Sequence, residues 1–145
     1  MTEIEWAYDK FPNLKRKGSG FAITSPRDPS YNCIAWAAGD ATKYWWPADD
    51  AHWPKNVVKE CTIQAFSDAF STLNYVECAD GTLEAGFEKL ALYAKDGKPT
   101  HMARQLAMGT WTSKLGNSND ISHDSPAGVS GTSYGTVIKF MRRKI

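Results

Sequence analysis

Apolar positions recur at two different periods along this chain. Ile63, Phe66, Phe70 and Leu73 follow one another at steps of three and four residues, the spacing that lines one face of a helix, with Thr62 placed as its N-cap. Earlier, Ser30 and Asn32 are both capping residues, and the run Cys33-Ile34-Ala35-Trp36-Ala37-Ala38 behind them favours helix. Cys33, Trp36, Ala37 and Tyr44 keep roughly helical spacing, Gly39 is the weak point, and Pro47 ends the run. Beyond Tyr75 the period shortens. Tyr75 to Cys78 reads as extended, and Phe87 to Ala94 as a strand that the Asp96-Gly97 turn folds back into a return strand, Pro99 to Leu106. Met108-Gly109 makes a second tight turn, Trp111 to Leu115 a third strand, and Tyr134 to Met141 a final one.

Between these elements the pattern is polar. Residues 1–29 read as irregular, punctuated at Phe11-Pro12-Asn13, Gly18-Ser19-Gly20 and Ser25-Pro26-Arg27-Asp28-Pro29, with Phe21-Ala22-Ile23 as a short strand. Gly116 to Gly131 reads as a loop, and Arg142-Arg143-Lys144 as a solvated tail. Helices followed by an antiparallel meander predict a single α+β domain over residues 1–145, with the helices packed on one side of a small sheet.

Composition narrows the function classes. A chain of 145 residues with 42% apolar and 23% charged residues has the makeup of one globular domain rather than of a disordered segment. Lys and Arg number 17 against 16 Asp and Glu, so no broad basic face for nucleic acid is expected. No stretch approaches the roughly 18 apolar residues of a membrane span, and the acidic start Met1-Thr2-Glu3-Ile4-Glu5 is unlike a signal peptide. The expectation is a chain made in the cytoplasm, with signal-independent export left open. Six Trp are many for this length, and Trp45, Trp46 and Trp53 lie close together, as core packing or as an aromatic wall beside a groove.

Three Cys exclude a fully paired disulfide framework, and only Cys33 falls at a predicted helix N-terminus. That setting lowers a thiol pKa and offers backbone N–H groups to an oxyanion. Cys61 has no obvious partner, and Cys78 reads as a small buried hydrophobe. A nucleophilic thiol needs a base. Of His52, His101 and His123, only His101 sits on a predicted strand, which would hold it rigidly. If Leu106 pairs with Trp111, His101 comes opposite Gly116, and the next polar residues, Asn117, Asn119 and Asp120, become candidates to orient the imidazole. Asp120 is favoured, with Asn119 and His123 behind it. No close Cys/His pair has zinc-ligand spacing, and there is no Gly-rich phosphate loop or nucleophile-elbow Ser, so neither a metal nor a cofactor is expected.

The stretches Tyr31-Asn32-Cys33-Ile34-Ala35-Trp36-Ala37 and Thr100-His101-Met102-Ala103-Arg104 resemble the nucleophile helix and the His strand of papain-like cysteine hydrolases, nearest the small NlpC-type cell-wall peptidases and their amidase relatives. In those enzymes an Asp commonly precedes the Cys, where this chain has Asn32. Nearly the whole chain also resembles an uncharacterised bacterial family, through the Cys33 stretch extended to Gly39-Asp40, Trp45-Trp46-Pro47, Thr100 to Leu106 and Trp111-Thr112-Ser113-Lys114-Leu115-Gly116. The papain-like resemblance implies an NlpC-type α+β fold and a cysteine amidase or peptidase. Cys33 would attack an amide carbonyl, His101 protonate the leaving amine, and Asp120 hold the imidazole. Asn32, Tyr31, Trp36 and Trp46 would serve oxyanion and substrate binding. The implied partner is a peptide, a peptidoglycan-like substrate or a target protein. Two alternatives stay open: a protein-glutamine deamidase of the bacterial effector type, and a non-catalytic binding module in which Cys33 is a buried core thiol.

Overall fold

The computed structural model describes residues 1–145. Its centre is β3 (Phe87–Lys95), in which all six residues from Lys89 to Ala94 are buried, so both faces of the strand are covered. The hairpin to β4 (Lys98–Gln105) turns at Asp96 and Gly97, both with positive φ (52° and 78°), the conformation a two-residue turn demands of an Asp-Gly pair. Around this hairpin lie β1 (Ala22–Ile23), β2 (Val76–Cys78), β5 (Trp111–Lys114), β6 (Asp120–His123) and β7 (Thr136–Lys144). They form one seven-stranded sheet in the order β1-β6-β5-β4-β3-β7-β2, with every pairing antiparallel.

The helices are short: α1 (Glu3–Lys10), α2 (Cys33–Ala37) and α3 (Ile63–Ser71). The expected papain-like α+β fold, with N-terminal helices on a small sheet, is therefore overturned. The molecule is mainly β, and its largest element is the sheet. The physical reason lies in β3 and β4, whose successive side chains serve different cores. Leu90, Leu92 and Met102 join α2 and α3 in one cluster with Trp45, Trp53, Phe66 and Phe70. Ala91, Tyr93 and Ala103 join a second cluster with Ala7 of α1, Phe11, Leu14, Trp111 and Ile121. A sheet apolar on both faces has to be covered on both.

Both predicted helices begin where expected, capped by Asn32 and Thr62, whose side-chain oxygens accept the backbone N–H groups of Ala35 (3.2 Å) and Ala65 (3.1 Å), but the first ends at Ala37 and leaves Tyr44 outside it. α2 stops after one and a half turns, just before Gly39 at φ +82°. Three polar stretches depart from expectation. Residues 3–10 are helical, closed by a capping box between Thr2 and Glu5. Gly116 to Gly131 contains β6 and a short 3-10 helix, Pro126–Val129, rather than only loop. Its polar residues are buried because they are bonded: Asn119 Nδ2 donates to the Ser25 carbonyl (2.9 Å), and Ser25 Oγ accepts the Asp120 N–H (3.0 Å). Arg142-Arg143-Lys144 is not a solvated tail but part of β7, where Arg142 pairs with Glu84 and Arg143 with Glu88. No helix is long and apolar enough to cross a membrane.

Candidate functional site

Cys33 opens α2 and packs into the first cluster, only 6% exposed. Burial pushes its thiol up to about 11, outweighing the opposing pull of the Met102 backbone and the Lys114 ammonium. At neutral pH the sulfur is a thiol. Asn32, just before it, is fully engaged: besides capping Ala35, its oxygen accepts the Trp45 N–H (3.0 Å) and its amide donates to the Trp45 carbonyl (2.7 Å). This pins the Trp-rich loop to the start of the helix. The Tyr31 hydroxyl donates to Asp120 Oδ2 (2.6 Å), and burial, with that carboxylate, pushes the phenol up to about 12. Trp36 donates its indole N–H to Thr112 Oγ1 (3.0 Å) and lies under the Arg104 guanidinium. These contacts tie α2 to β4 and β5.

Lys114, with no exposed surface, donates to the carbonyls of Asp28 and Gly116 (2.7 Å each) and sits over the Tyr31 ring at 4.7 Å. Burial lowers its pKa, while the Asp120 and Asp28 carboxylates push it back up. Lys114 therefore stitches the loop before α2 to the end of β5.

His101 has different company. Its Nε2 lies 2.9 Å from Ser113 Oγ, which lies 2.8 Å from His123 Nε2, and His123 Nδ1 lies 2.7 Å from the Ser125 carbonyl. A carbonyl only accepts, so His123 Nδ1 carries the proton and its Nε2 accepts the Ser113 O–H. Ser113 oxygen then accepts the His101 Nε2–H, which leaves His101 Nδ1 as a bare, buried lone pair without a partner. Burial lowers the pKa of both imidazoles, keeping them neutral. His101 also stacks on Tyr134 (centroids 4.0 Å apart) and meets Tyr93 edge-on.

Cys33 and His101 are not brought together. His101 pairs across the hairpin with Tyr93, on the second cluster's side, whereas its neighbour Met102 pairs with Leu92 on the side of Cys33. The two side chains project from opposite faces of the sheet. Register contributes as well: Gln105, not Leu106, pairs with Trp111, and the ladder between β4 and β5 stops at Arg104–Thr112. Asp120 lies on the Cys33 side, holding Tyr31 rather than an imidazole, and its Oδ1 is buried without a partner. Asn119 is spent on Glu3 and Ser25. The partner of His101 is instead Ser113, which sequence reasoning missed. Its signal was parity: Ser113 follows Trp111 by two in a buried strand, so a hydroxyl there needs a bonding partner on that face.

Trp46 and Asn117 are the candidate residues that line open grooves. One groove, of about 510 Å³, is formed by Pro29, Tyr44, Trp46, Asp50, Ala51 and Asn117. Its Trp-bearing loop is held at its base by hydrogen bonds from Trp46 N to the His52 carbonyl (3.1 Å) and from His52 N to the Tyr44 carbonyl (2.9 Å). Trp46 packs edge-on against Phe66 (5.5 Å between centroids). The indole N–H groups of Trp36, Trp45 and Trp53 donate within the protein; those of Trp6, Trp46 and Trp111 do not.

A two-faced antiparallel sheet, with one buried thiol and a separate buried His-Ser-His chain, defines a mainly β domain with an open groove beside the Trp46 loop. The chain belongs to the family described as a domain of unknown function (DUF7689), whose model matches residues 22–142. No curated protein and no solved structure matches it.

Proposed function

We propose that this domain is a non-catalytic binding module that takes a peptide segment bearing a basic side chain in the groove beside Tyr44 and Trp46. The observation that carries this reading is the state of Cys33: a thiol that is 6% exposed and raised to about 11 is a poor nucleophile at neutral pH. Its neighbours Asn32 and Tyr31 are occupied in binding the protein to itself. The groove supplies what peptide recognition uses, two aromatic side chains on a tethered loop. Asp50 on its rim has no cation within ion-pair distance, whereas neighbouring Asp49 is paired with Lys59. A basic side chain would complement it.

The test is selection from random peptides displayed on phage, followed by calorimetry of the winners. Trp46→Ala and Tyr44→Ala are each expected to cost about 1–3 kcal/mol of binding, the exposed Tyr44→Ala without altering the melting temperature, and Asp50→Asn to remove the preference for Lys or Arg. Alkylation by iodoacetamide is read alongside. Slow labelling of native Cys33 below pH 7, relative to Cys61 and Cys78, is the expected result. Rapid, selective labelling of Cys33 would overturn the non-catalytic reading and return the amidase and deamidase readings to consideration.

A further inference from the structure

A second cleft, of about 280 Å³, opens where the C-terminal end of α1 meets the turn between β5 and β6. Its walls are aromatic: Trp6, Phe11 and Tyr134, the last two with ring centroids 5.0 Å apart. Its charged residues are Lys10 and Arg27, and no acidic residue lines it. Glu3, which lines an adjoining pocket with Arg27, and Asp28, its chain neighbour, form no ion pair with it and accept from neutral donors instead. Glu3 accepts from Asn119 Nδ2 (3.1 Å), and the Asp28 carboxylate accepts the N–H and hydroxyl of Ser30 (2.9 and 2.6 Å). The dipole of α1 favours Lys10 at its last turn. Nothing in the chain performs that service for Arg27, which enters no ion pair or side-chain hydrogen bond. The backbone N–H of Asn117, in the turn that borders the cleft, likewise donates to no acceptor in the chain.

Two cations, neither in an ion pair, line an aromatic-walled cleft that holds no acidic side chain. A ligand that fills it needs an anionic group for Arg27 and Lys10 and a flat apolar body for the aromatic walls. The volume lies at the lower edge of the range for small-molecule sites, which fits a single ring. We propose that this cleft is a binding site for a small aromatic anion, a carboxylate or phosphate attached to one ring. The anion sits between Arg27 and Lys10, and the ring lies against Trp6 and Tyr134. The site adjoins the peptide groove, sharing Asn117 with it, but its cations and its aromatic walls are its own, and it does not depend on that reading.

The intact chain, labelled with nitrogen-15, is titrated with phenylacetate, phenyl phosphate and the neutral control phenylacetamide. The expected result is a saturable shift of the Gly116 and Ser118 amides and the Trp6 indole N–H, residues that line this cleft and not the peptide groove. The better of the two anions should bind about tenfold or more tightly than the amide. Preference for phenylacetate assigns a carboxylate ligand, and preference for phenyl phosphate a phosphate one. The double variant Lys10→Gln, Arg27→Gln replaces exposed side chains and is expected to keep the wild-type spectrum while losing that preference. Equal affinity for anion and amide, no saturable shift with any of the three, or unchanged anion binding in the double variant would overturn the proposal.

Discussion

Ser113 shows how much one hydroxyl can organise. It receives the proton of His101 and gives its own to His123, so both imidazoles are locked in defined tautomers by a side chain with no exposed surface. Ser113→Ala strands two ring nitrogens in the core, and an unfolding titration at neutral pH should show a loss of about 2–4 kcal/mol. The same chain makes stability depend on acid. Both imidazoles have folded pKa values below the ordinary 6.5, so the unfolded chain takes up protons first as pH falls. Protonation thus favours unfolding. The full contribution is present above about pH 6.5 and is lost below it, at up to about 1.4 kcal/mol per imidazole per pH unit until the lowered folded value is reached. Asp124 beside His123 acts in the opposite direction, and His123 itself disfavours a charge on His101. Urea midpoints at a series of pH values check this. A flat profile between pH 7 and pH 5 would show that these rings do not titrate on unfolding.

At the scale of elements, α2 matters less as a helix than as a clamp. Five residues form little stable helix by themselves, so its place depends on Asn32 holding the helix start and the Trp45 backbone together. Asn32→Ala should cost about 2 kcal/mol, combining a lost cap with a lost tether. Asn32→Asp keeps the cap oxygen but removes the donor to Trp45, and is expected to fall between the two in thermal unfolding. Much of this level was legible in advance. Asn32 and Thr62 as caps, the Asp96-Gly97 turn and the strands around it follow from local chemistry, where side-chain oxygens, positive φ and alternation act over a few residues. β6 was not legible, because its burial depends on Ser25, Glu3 and Tyr31, which are roughly 90 or more positions away in sequence. A polar strand of that kind looks like a loop until its partners are present.

Over the whole molecule, the second core extends beyond the family-matched region. That match begins at residue 22, yet Ala7, Phe11 and Leu14 are almost fully buried against the sheet. A chain starting at residue 22 uncovers Ala91, Tyr93 and Ala103 and loses the burial of Phe11 and Leu14, each worth about 1.5–3 kcal/mol. The melting temperature of the shortened chain should fall by about ten degrees or more, or the chain should fail to fold cooperatively. The aromatic-anion cleft would be lost with it, since Trp6, Lys10 and Phe11 are removed.

The sequence alone determined which short segments turn, cap and extend, and it singled out Cys33 and His101 as unusual positions. It could not determine what those side chains face, because that depends on strand parity and register. On β4 a single step along the chain, from His101 to Met102, separates one face of the sheet from the other. Only the tertiary structure decided that Cys33 lies with Met102 in one core, while His101 bonds to Ser113 on the opposite face.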